Sequence, residues 1–167
     1  MMYVKKMDTS RFISDRRRLK HLITRLKYEK KKIVFTNGCF DIIHSGHAEY
    51  LESAKSLGDI LIVGLNSDDS VREIKGAKRP INDQQSRALV LLSLRPVDYV
   101  CLFEKPTPIE LIQIVKPDVL VKGGDWHKKD IVGTDFVESY DGKVVIIPVI
   151  NNTSTSKIID KILKLYA

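Results

Sequence analysis

The amino-acid sequence predicts an α/β fold, with a doubly wound parallel sheet of five strands in a single domain and a helix before it. Short apolar segments alternate five times with segments of helical periodicity, which is typical of a parallel sheet covered by helices on both faces. The segment DILIVGLN, residues 59–66, is nearly all apolar, as expected for a strand buried on both sides. With 167 residues, of which 43% are hydrophobic, the chain can bury one such core.

The individual elements are predicted from local patterns, and together they make the architecture Rossmann-like. Four apolar residues recur at helical spacing near the N-terminus, at Leu19, Leu22, Ile23 and Leu26, so this basic segment is expected to be an amphipathic helix packed on the body. Strands are predicted over 33–37, 59–66, 97–103, 118–124 and 143–150, and helices over 47–57, 83–94, 107–115, 134–140 and 156–166. The polar segment 67–82 is expected to be a mobile loop, with Asn82 or Asp83 capping the helix after it.

Charge is unevenly distributed, because residues 1–32 carry 12 of the 28 basic side chains and 3 of the 21 acidic ones. Such a segment is either a nucleic-acid-binding arm or the solvated face of a helix, and the apolar spacing favours the helix. We therefore expect no nucleic-acid partner. No apolar run approaches the roughly 20 residues of a membrane helix. The N-terminus has no signal-like apolar region, and both cysteines lie in or beside apolar segments, so we expect a cytoplasmic protein without a membrane partner.

The first strand-to-helix turn, NGCFDIIHSGH at residues 37–47, has the composition of a phosphate site. Parallel sheets bind ligands at the carboxyl ends of their strands, where this turn lies. Gly38 lets backbone approach a ligand closely, and Gly46 is expected to let the chain turn between His44 and His47. The helix expected to begin near His47 points its free N–H groups at the same place, and the two imidazoles can donate hydrogen bonds to phosphoryl oxygens.

Two other interpretations of the histidine pair are weaker. His44 and His47 could be metal ligands, but Cys39 and Asp41 would then have to complete the site from a tight turn. They could also be ordinary packed histidines, although two of them at the functional end of the first strand make that less plausible. No metal site is therefore predicted. Neither the G-x-G-x-x-G fingerprint nor a Walker loop follows the strand.

The same turn resembles the signature (T/G)-x-F-D-x-x-H-x-G-H of the nucleotidyltransferase superfamily that includes cytidylyltransferases and pantetheine-phosphate adenylyltransferase. Two further segments, VLVKGGDW with DIVG shortly after it and STSKII near the end, are most similar to D-glycero-β-D-manno-heptose 1-phosphate adenylyltransferases. Glycerol-3-phosphate cytidylyltransferases are the nearest alternative, but their glycine pair is usually interrupted by an acid, whereas Gly123 and Gly124 are adjacent here. The resemblance implies a nucleotidyltransferase domain over residues 32–167, after a basic helical segment over residues 1–31.

The resemblance implies transfer of AMP from ATP to heptose 1-phosphate, giving ADP-heptose and pyrophosphate by direct in-line attack. Transfer of a cytidylyl group to glycerol 3-phosphate or a similar monoester is the alternative, because base choice depends on backbone contacts that residue types do not reveal. Mg²⁺ would bridge the triphosphate oxygens, and a homodimer is expected by analogy. The attacking phosphate is already an anion, so positioning and charge neutralisation should suffice for catalysis.

Roles for individual residues also follow from the resemblance. His44, His47, Lys78 (or Lys75) and Arg87 are expected to contact the phosphates and to be catalytic, although a solvated loop lysine and a salt-bridged arginine are the alternatives. Asp41 is expected to orient a histidine, to lie near the metal or to cap the turn. Asn66 and Asp68 are expected to bind the sugar phosphate, although Asp68 could equally cap a helix. The residues expected to bind the nucleotide, Asp41 included, are Thr36, Asn37, Gly38, Phe40, Lys122, Gly123, Asp125, Trp126, Ser154, Thr155 and Ser156.

Overall fold

A parallel sheet of six strands forms the centre of the protein in a computed structural model, which describes residues 9–124, 126–148 and 153–166. The strands are β1 (Phe12–Ile13), β2 (Ile33–Gly38), β3 (Ile60–Asn66), β4 (Tyr99–Phe103), β5 (Val119–Gly123) and β6 (Lys143–Ile147). The helices are α1 (Arg16–Tyr28), α2 (Ser45–Lys55), α3 (Asp68–Lys75), α4 (Gln84–Ser93), α5 (Ile109–Val115), α6 (Thr134–Glu138) and α7 (Thr155–Tyr166). The predicted Rossmann-like α/β fold is confirmed.

The strand order is β1-β4-β3-β2-β5-β6, and every pairing is parallel. From β2 the chain builds outward through β3 to β4, then crosses back to place β5 on the other side of β2. The order therefore reverses at β2 and β5, and a crevice opens there at the carboxyl ends of the strands. The histidine-bearing turn follows β2 and lies at this point of reversal.

The two faces of the sheet carry separate apolar cores. On one face α1, α5 and α6 pack against side chains such as Phe35 and Ile62. On the other face α2 and α4 pack against Val34, Leu61 and Val63. Successive residues of β2 and β3 thus point to opposite cores, which explains why these strands are apolar throughout.

Two elements differ from the sequence prediction. The sheet has six strands instead of five, because Phe12 and Ile13 pair with Val100 and Cys101 as a two-residue edge strand. A strand this short has no periodicity to detect. The segment 67–82 is not all loop: α3 covers its first half, and the Ser67 side chain caps that helix by accepting a hydrogen bond from the Ser70 N–H. Asp83 caps α4, as predicted for one of the two candidates.

The basic N-terminal helix is part of the core. The four apolar residues predicted to face the body are all buried, and Leu19 has only 2% of its surface exposed. Arginine and lysine side chains occupy the exposed face, where Arg16 pairs with Glu110 on α5. The predicted amphipathic packing is confirmed. No helix in the described part of the chain is long and apolar enough to cross a membrane.

We expect Leu19→Ala to lower the free energy of unfolding by about 3 kcal/mol, because it leaves a cavity between α1 and the sheet. Lys20→Ala, on the exposed face of the same helix, is the matched control and should change stability little. Urea denaturation followed by circular dichroism measures both variants. Equal stabilities of the two variants would show that α1 is not part of the cooperative fold.

Candidate active site

A cleft of about 610 Å³ opens at the carboxyl ends of the strands. It is within the size range of small-molecule sites. The turns after β2, β4, β5 and β6, the end of β3 and the beginnings of α2 and α7 all contribute to its walls. These turns are distant in sequence, and parallel strand order brings them to one edge of the sheet.

The two histidines of the first turn stack on each other at the N-terminus of α2. Their ring centroids lie 3.9 Å apart, with an angle of 31° between the ring planes. His44 occupies the N-cap position and His47 lies in the first turn, because α2 begins at Ser45, two residues earlier than predicted. Both Nδ1 atoms are buried and lack a hydrogen-bond partner within the described ranges. Two polar atoms thus remain unsatisfied beside a helix N-terminus.

Gly46 has a different structural role from the predicted one, which was to let the chain turn between the histidines. It lies inside the helix and does not turn the chain. A Cβ atom at this position would lie 3.2 Å from His44 Nδ1 and 3.3 Å from His44 Cε1. The missing side chain therefore gives the His44 ring room to fold over the helix and to stack on His47.

Burial keeps both imidazoles uncharged in the ligand-free protein. Burial lowers the pKa of His44. Burial, together with the nearby His44, lowers the pKa of His47 to about 4. Two stacked rings would repel each other strongly if both were positively charged. In the neutral form each ring offers one N–H donor and one acceptor nitrogen.

Asp41 fastens the turn after β2 to the segment before α4. Its side chain is fully buried and accepts hydrogen bonds from Arg79 Nε at 2.6 Å and from the N–H groups of Ile81 and Asn82 at 2.9 Å. Burial alone would raise the pKa of Asp41, but the hydrogen bonds from Asn82, Ile81 and Arg79 outweigh it and lower that pKa. This anchoring role was not among the alternatives predicted for Asp41, and within the described residues its carboxylate makes no hydrogen bond to either histidine.

Arg87 is buried beneath the cleft and does not line it. Its guanidinium donates to the carbonyls of Asn82, Cys39 and Asn66 and forms an ion pair of 2.8 Å with Asp68. These bonds join the turns after β2 and β3 to the beginning of α4. These contacts agree with the ion-paired alternative for Arg87, and its phosphate contact stays a prediction. Asp68 binds Arg87 through Oδ1, and its contact with the sugar phosphate likewise stays a prediction.

Lys122, at the end of β5, is mostly buried and lines the cleft. Its ammonium donates to Asn37 Oδ1 at 3.0 Å. Burial lowers the pKa of Lys122 to about 8, and Cys39 opposes that shift. A lysine held this far from water is only partly compensated by a single amide oxygen, so an anion in the cleft would stabilise its charge.

Tyr50 links α2 to two strands and was not anticipated from the sequence. Its hydroxyl donates to the Val121 carbonyl at 3.2 Å, so the 2.6 Å hydrogen bond to Thr36 must be donated by the Thr36 hydroxyl. Burial raises the pKa of Tyr50, which therefore keeps its proton. A Cβ atom at Gly123 would lie 3.0 Å from the Tyr50 ring, so glycine is required there for α2 to approach the sheet.

The beginning of α7 closes the cleft from above the histidines. Thr155 Oγ1 donates to the Ile42 carbonyl at 3.3 Å, and Ser154 Oγ accepts from the Lys157 N–H at 3.2 Å. The N-termini of α2 and α7 therefore converge. Both ends direct N–H groups and partial positive charge towards the same volume, which suits an anion.

The structure brings most of the predicted site residues together. Those that line the cleft are Asn37, Gly38, Phe40, Asp41, His44, His47, Asn66, Lys75, Lys122, Gly123, Trp126, Ser154, Thr155 and Ser156. Thr36, Asp68 and Arg87 lie behind the walls, and Lys78 does not line the cleft. Between the two candidate lysines, the geometry favours Lys75. The prediction for Asp125 falls outside the described residues.

Arg79, like Tyr50, lines the cleft but was not predicted from the sequence. It lies within a segment expected to be a mobile loop, and no local pattern marks it. The sequence does show a basic segment, KRP at residues 78–80, which could have indicated a cation near the site. Only the fold shows that Arg79, and not Lys78, lines the cleft.

No group of three or more histidine, cysteine, aspartate or glutamate side chains in the described ranges is placed to hold a metal ion. Asp41, the carboxylate of the first turn, already accepts hydrogen bonds from three donors, one of which is shared between its two oxygens. The described residues thus offer no cage of their own for Mg²⁺. An ion that accompanies a nucleotide would take its ligands mainly from phosphate and water, which Mg²⁺ commonly does.

A doubly wound sheet whose edge presents imidazoles, ammonium groups and helix N-termini is the architecture of a Rossmann-like nucleotidyltransferase, and that class fits both the fold and the cleft. The family comparison is more specific. The model of the cytidylyltransferase-like family matches residues 35–161, and the chain belongs to that family. It is therefore an enzyme with a nucleotide substrate.

Curated relatives and solved structures agree with this assignment. The bifunctional protein HldE of Trichlorobacter lovleyi is 49% identical over 159 residues, which cover 95% of this chain and 32% of the relative. The protein of the same name from Geobacter metallireducens is 54% identical over 140 residues, covering 84% of this chain and 29% of the relative. The chain thus spans about a third of the length of these relatives.

Among solved structures, the lipopolysaccharide core biosynthesis protein from Thermoplasma volcanium superposes with a TM-score of 0.59 and 28% identity. The match covers 74% of this chain and 99% of that one. Pantoate-beta-alanine ligase from Francisella tularensis has a TM-score of 0.62 at 18% identity, covering 92% of this chain and 77% of the ligase, and supports the fold alone.

We expect Asp41→Asn to lower the free energy of unfolding by about 3 kcal/mol, because it leaves the Arg79 guanidinium without its buried partner. Asp69→Asn is the matched control: this carboxylate also pairs with an arginine, Arg72, but is 94% exposed. Chemical denaturation of the two variants tests the expectation. A loss in Asp41→Asn no greater than in the control would rule out an anchoring role.

The ligand-free protein should become less stable as the pH falls from about 6.5 towards 4. The unfolded chain protonates His47 near its ordinary pKa of 6.5, whereas the folded protein does so only near 4, so acid favours the unfolded state in this window. The difference amounts to at most about 3 kcal/mol. His47→Gln should flatten the pH dependence of the unfolding midpoint over that range. An unchanged slope would mean that the ring is not desolvated.

Proposed function

We propose that the protein transfers AMP from ATP to D-glycero-β-D-manno-heptose 1-phosphate, releasing pyrophosphate and forming ADP-heptose. The observation that carries the proposal is the meeting of two stacked, uncharged histidines with the N-termini of α2 and α7 in one cleft. We further propose that residues 32–167 form the transferase domain. The homodimer stays a prediction.

The chemistry requires little beyond placement and charge neutralisation. The acceptor phosphate is itself the nucleophile: one of its oxygens attacks the α-phosphorus of the nucleotide, and the bond from that phosphorus to the pyrophosphate oxygen breaks. No base must remove a proton, and no covalent enzyme intermediate is needed. The reacting phosphoryl group gains stabilisation from donors fixed in advance around its oxygens.

His44 and His47 are the donors that we assign to the reacting phosphates. Each carries a polar nitrogen without a hydrogen-bond partner among the described residues, so a phosphoryl oxygen would satisfy a group that is costly to leave unpaired. The negative charge of that oxygen favours the protonated imidazole, and the rings can strengthen their hydrogen bonds as charge moves to the leaving pyrophosphate. Lys122 and Lys75 supply further positive charge at the walls of the cleft.

The nucleoside half of the substrate is assigned to the β5 and β6 side of the cleft. Trp126, Ile147 and Pro148 provide apolar surface there, and Gly123 and Gly124 let a ligand lie against the backbone. Ser154, Thr155 and Ser156 stand beside the N–H groups of α7, where we place the outer phosphates of the triphosphate. Mg²⁺, bound to those phosphates, would neutralise part of their charge.

Adenine and heptose are chosen on similarity. The relatives at 49% and 54% identity are both bifunctional proteins named HldE, and this chain matches about a third of each. The resemblance of VLVKGGDW and STSKII to heptose 1-phosphate adenylyltransferases supports the same choice. The family description, cytidylyltransferase-like, keeps CTP with glycerol 3-phosphate as the second candidate.

We expect pyrophosphate release with ATP and heptose 1-phosphate, and little release in other pairings of ATP or CTP with heptose 1-phosphate or glycerol 3-phosphate. His44→Ala and His47→Ala should each lower kcat by about 100-fold or more, because each removes one preorganised donor. His21→Ala, on the exposed face of α1, is the matched control and should retain full turnover.

Two results would contradict the proposal. Turnover only with CTP and glycerol 3-phosphate would show that the proposed substrates are wrong, although the proposed site could still be right. Full activity of the His44→Ala, His47→Ala double variant would show that the histidines are not catalytic, provided that circular dichroism shows both proteins folded.

A further inference from the structure

Arg79 lies at the edge of the cleft with its guanidinium fixed in one orientation. Its side chain is 15% exposed, and Nε donates to Asp41 Oδ2 at 2.6 Å. Asp41 is held in turn by the N–H groups of Ile81 and Asn82. The two terminal nitrogens of Arg79 have no hydrogen-bond partner in the parts of the chain that the structure describes. Arg79 lines the cleft, so a preorganised pair of donors is available at its wall, and such a pair suits a phosphate.

The two ends of the cleft differ in chemistry. On the β5 and β6 side, Trp126, Ile147 and Pro148 form an apolar wall, with Lys122 and Asp130 as charged residues near it. On the β3 and β4 side, Arg79 and Lys75 line the cleft beside apolar side chains such as Ile74 and Pro106. Strand order places the histidine turn, after β2, between these two sides. A nucleobase fits the apolar end, so the cationic end is free for the second phosphate compound.

Charges of both signs lie near Cys39 in the wall of this end. Burial raises the pKa of the Cys39 thiol, Lys75, Arg87 and Arg79 oppose that rise, and Asp41 adds to it. The guanidinium N–H groups of Arg87 donate hydrogen bonds to three carbonyls and to Asp68. Arg79 and Lys75 are thus the cations near Cys39 that line the cleft.

We infer that Arg79 binds the phosphate of the acceptor and holds it for attack, while Asp41 is the positioning residue that aims the guanidinium. The inference rests on the proposed function in one respect, namely that the second substrate is a phosphate monoester. Arg79 contacts the nucleophile and not the triphosphate. It therefore sets the affinity for the acceptor separately from that for the nucleotide.

Arg79→Ala and Arg79→Lys test the inference, with Arg72→Ala as the matched control because Arg72 pairs with Asp69 on α3 and does not line the cleft. In the Arg79 variants the KM for heptose 1-phosphate should rise about tenfold or more, as expected for loss of a charge-assisted hydrogen bond. The Kd for ATP, measured by calorimetry without acceptor, should stay within about twofold of that of the wild type. Lysine keeps the charge but loses the fork, so Arg79→Lys should resemble Arg79→Ala.

An equal loss of ATP affinity would overturn the inference, and so would an unchanged acceptor KM in folded Arg79→Lys. Failure of the proposed substrates is a separate outcome: if the wild type uses glycerol 3-phosphate and CTP instead, the same KM comparison is made with that pair. If neither acceptor reacts, inorganic phosphate is titrated into the ATP complex. It should bind the wild type about tenfold more tightly than Arg79→Lys, and equal affinities would reject the assignment.

Discussion

Removal of polar groups from water is the constraint on which the site depends. Asp41, Arg87, His44, His47 and Lys122, at the carboxyl edge of the sheet, are buried or half-buried, and burial without a partner is costly. The carboxylate of Asp41 accepts from three donors and the guanidinium of Arg87 makes four hydrogen bonds, so both groups are compensated and hold the walls together. His44, His47 and Lys122 are incompletely compensated within the described chain. The groups that the protein leaves unsatisfied are the ones that a phosphate can satisfy.

The fold supplies the rigidity that this arrangement requires. Three links tie separate turns to one another: Tyr50 joins α2 to β2 and β5, Arg87 joins the turns after β2 and β3 to α4, and Thr155 joins α7 to the signature turn. Each link runs between segments that are distant in sequence. Donors held in this way need not reorganise when a substrate enters, and this is how fixed dipoles outperform water in stabilising a charged transition state.

The sequence predicted the architecture well, and its failures have physical reasons. Strong apolar periodicity located strands β2–β6 and most helices, whereas two-residue β1 was invisible because it has no period. Helix α3 could not be predicted within its polar segment, because only Val71 and Ile74 mark its apolar side. In the site, composition identified the histidine turn, but it could not separate Arg87 from Arg79. Both are cations near one turn, and only the fold decides that Arg87 is enclosed by carbonyls while Arg79 borders the cleft.

Protonation of the stacked imidazoles and binding of an anion beside them depend on each other. Two rings whose centroids are 3.9 Å apart share room for about one positive charge, and burial keeps that charge away at neutral pH. An anion beside them restores proton affinity, so occupation of the cleft draws a proton from the buffer. By thermodynamic linkage, mild acid must then tighten the hold on the anion, up to the acidity at which the fold itself weakens. Under the proposed function, a single ring pair thus couples the proton concentration of the surroundings to the affinity of the protein for phosphate.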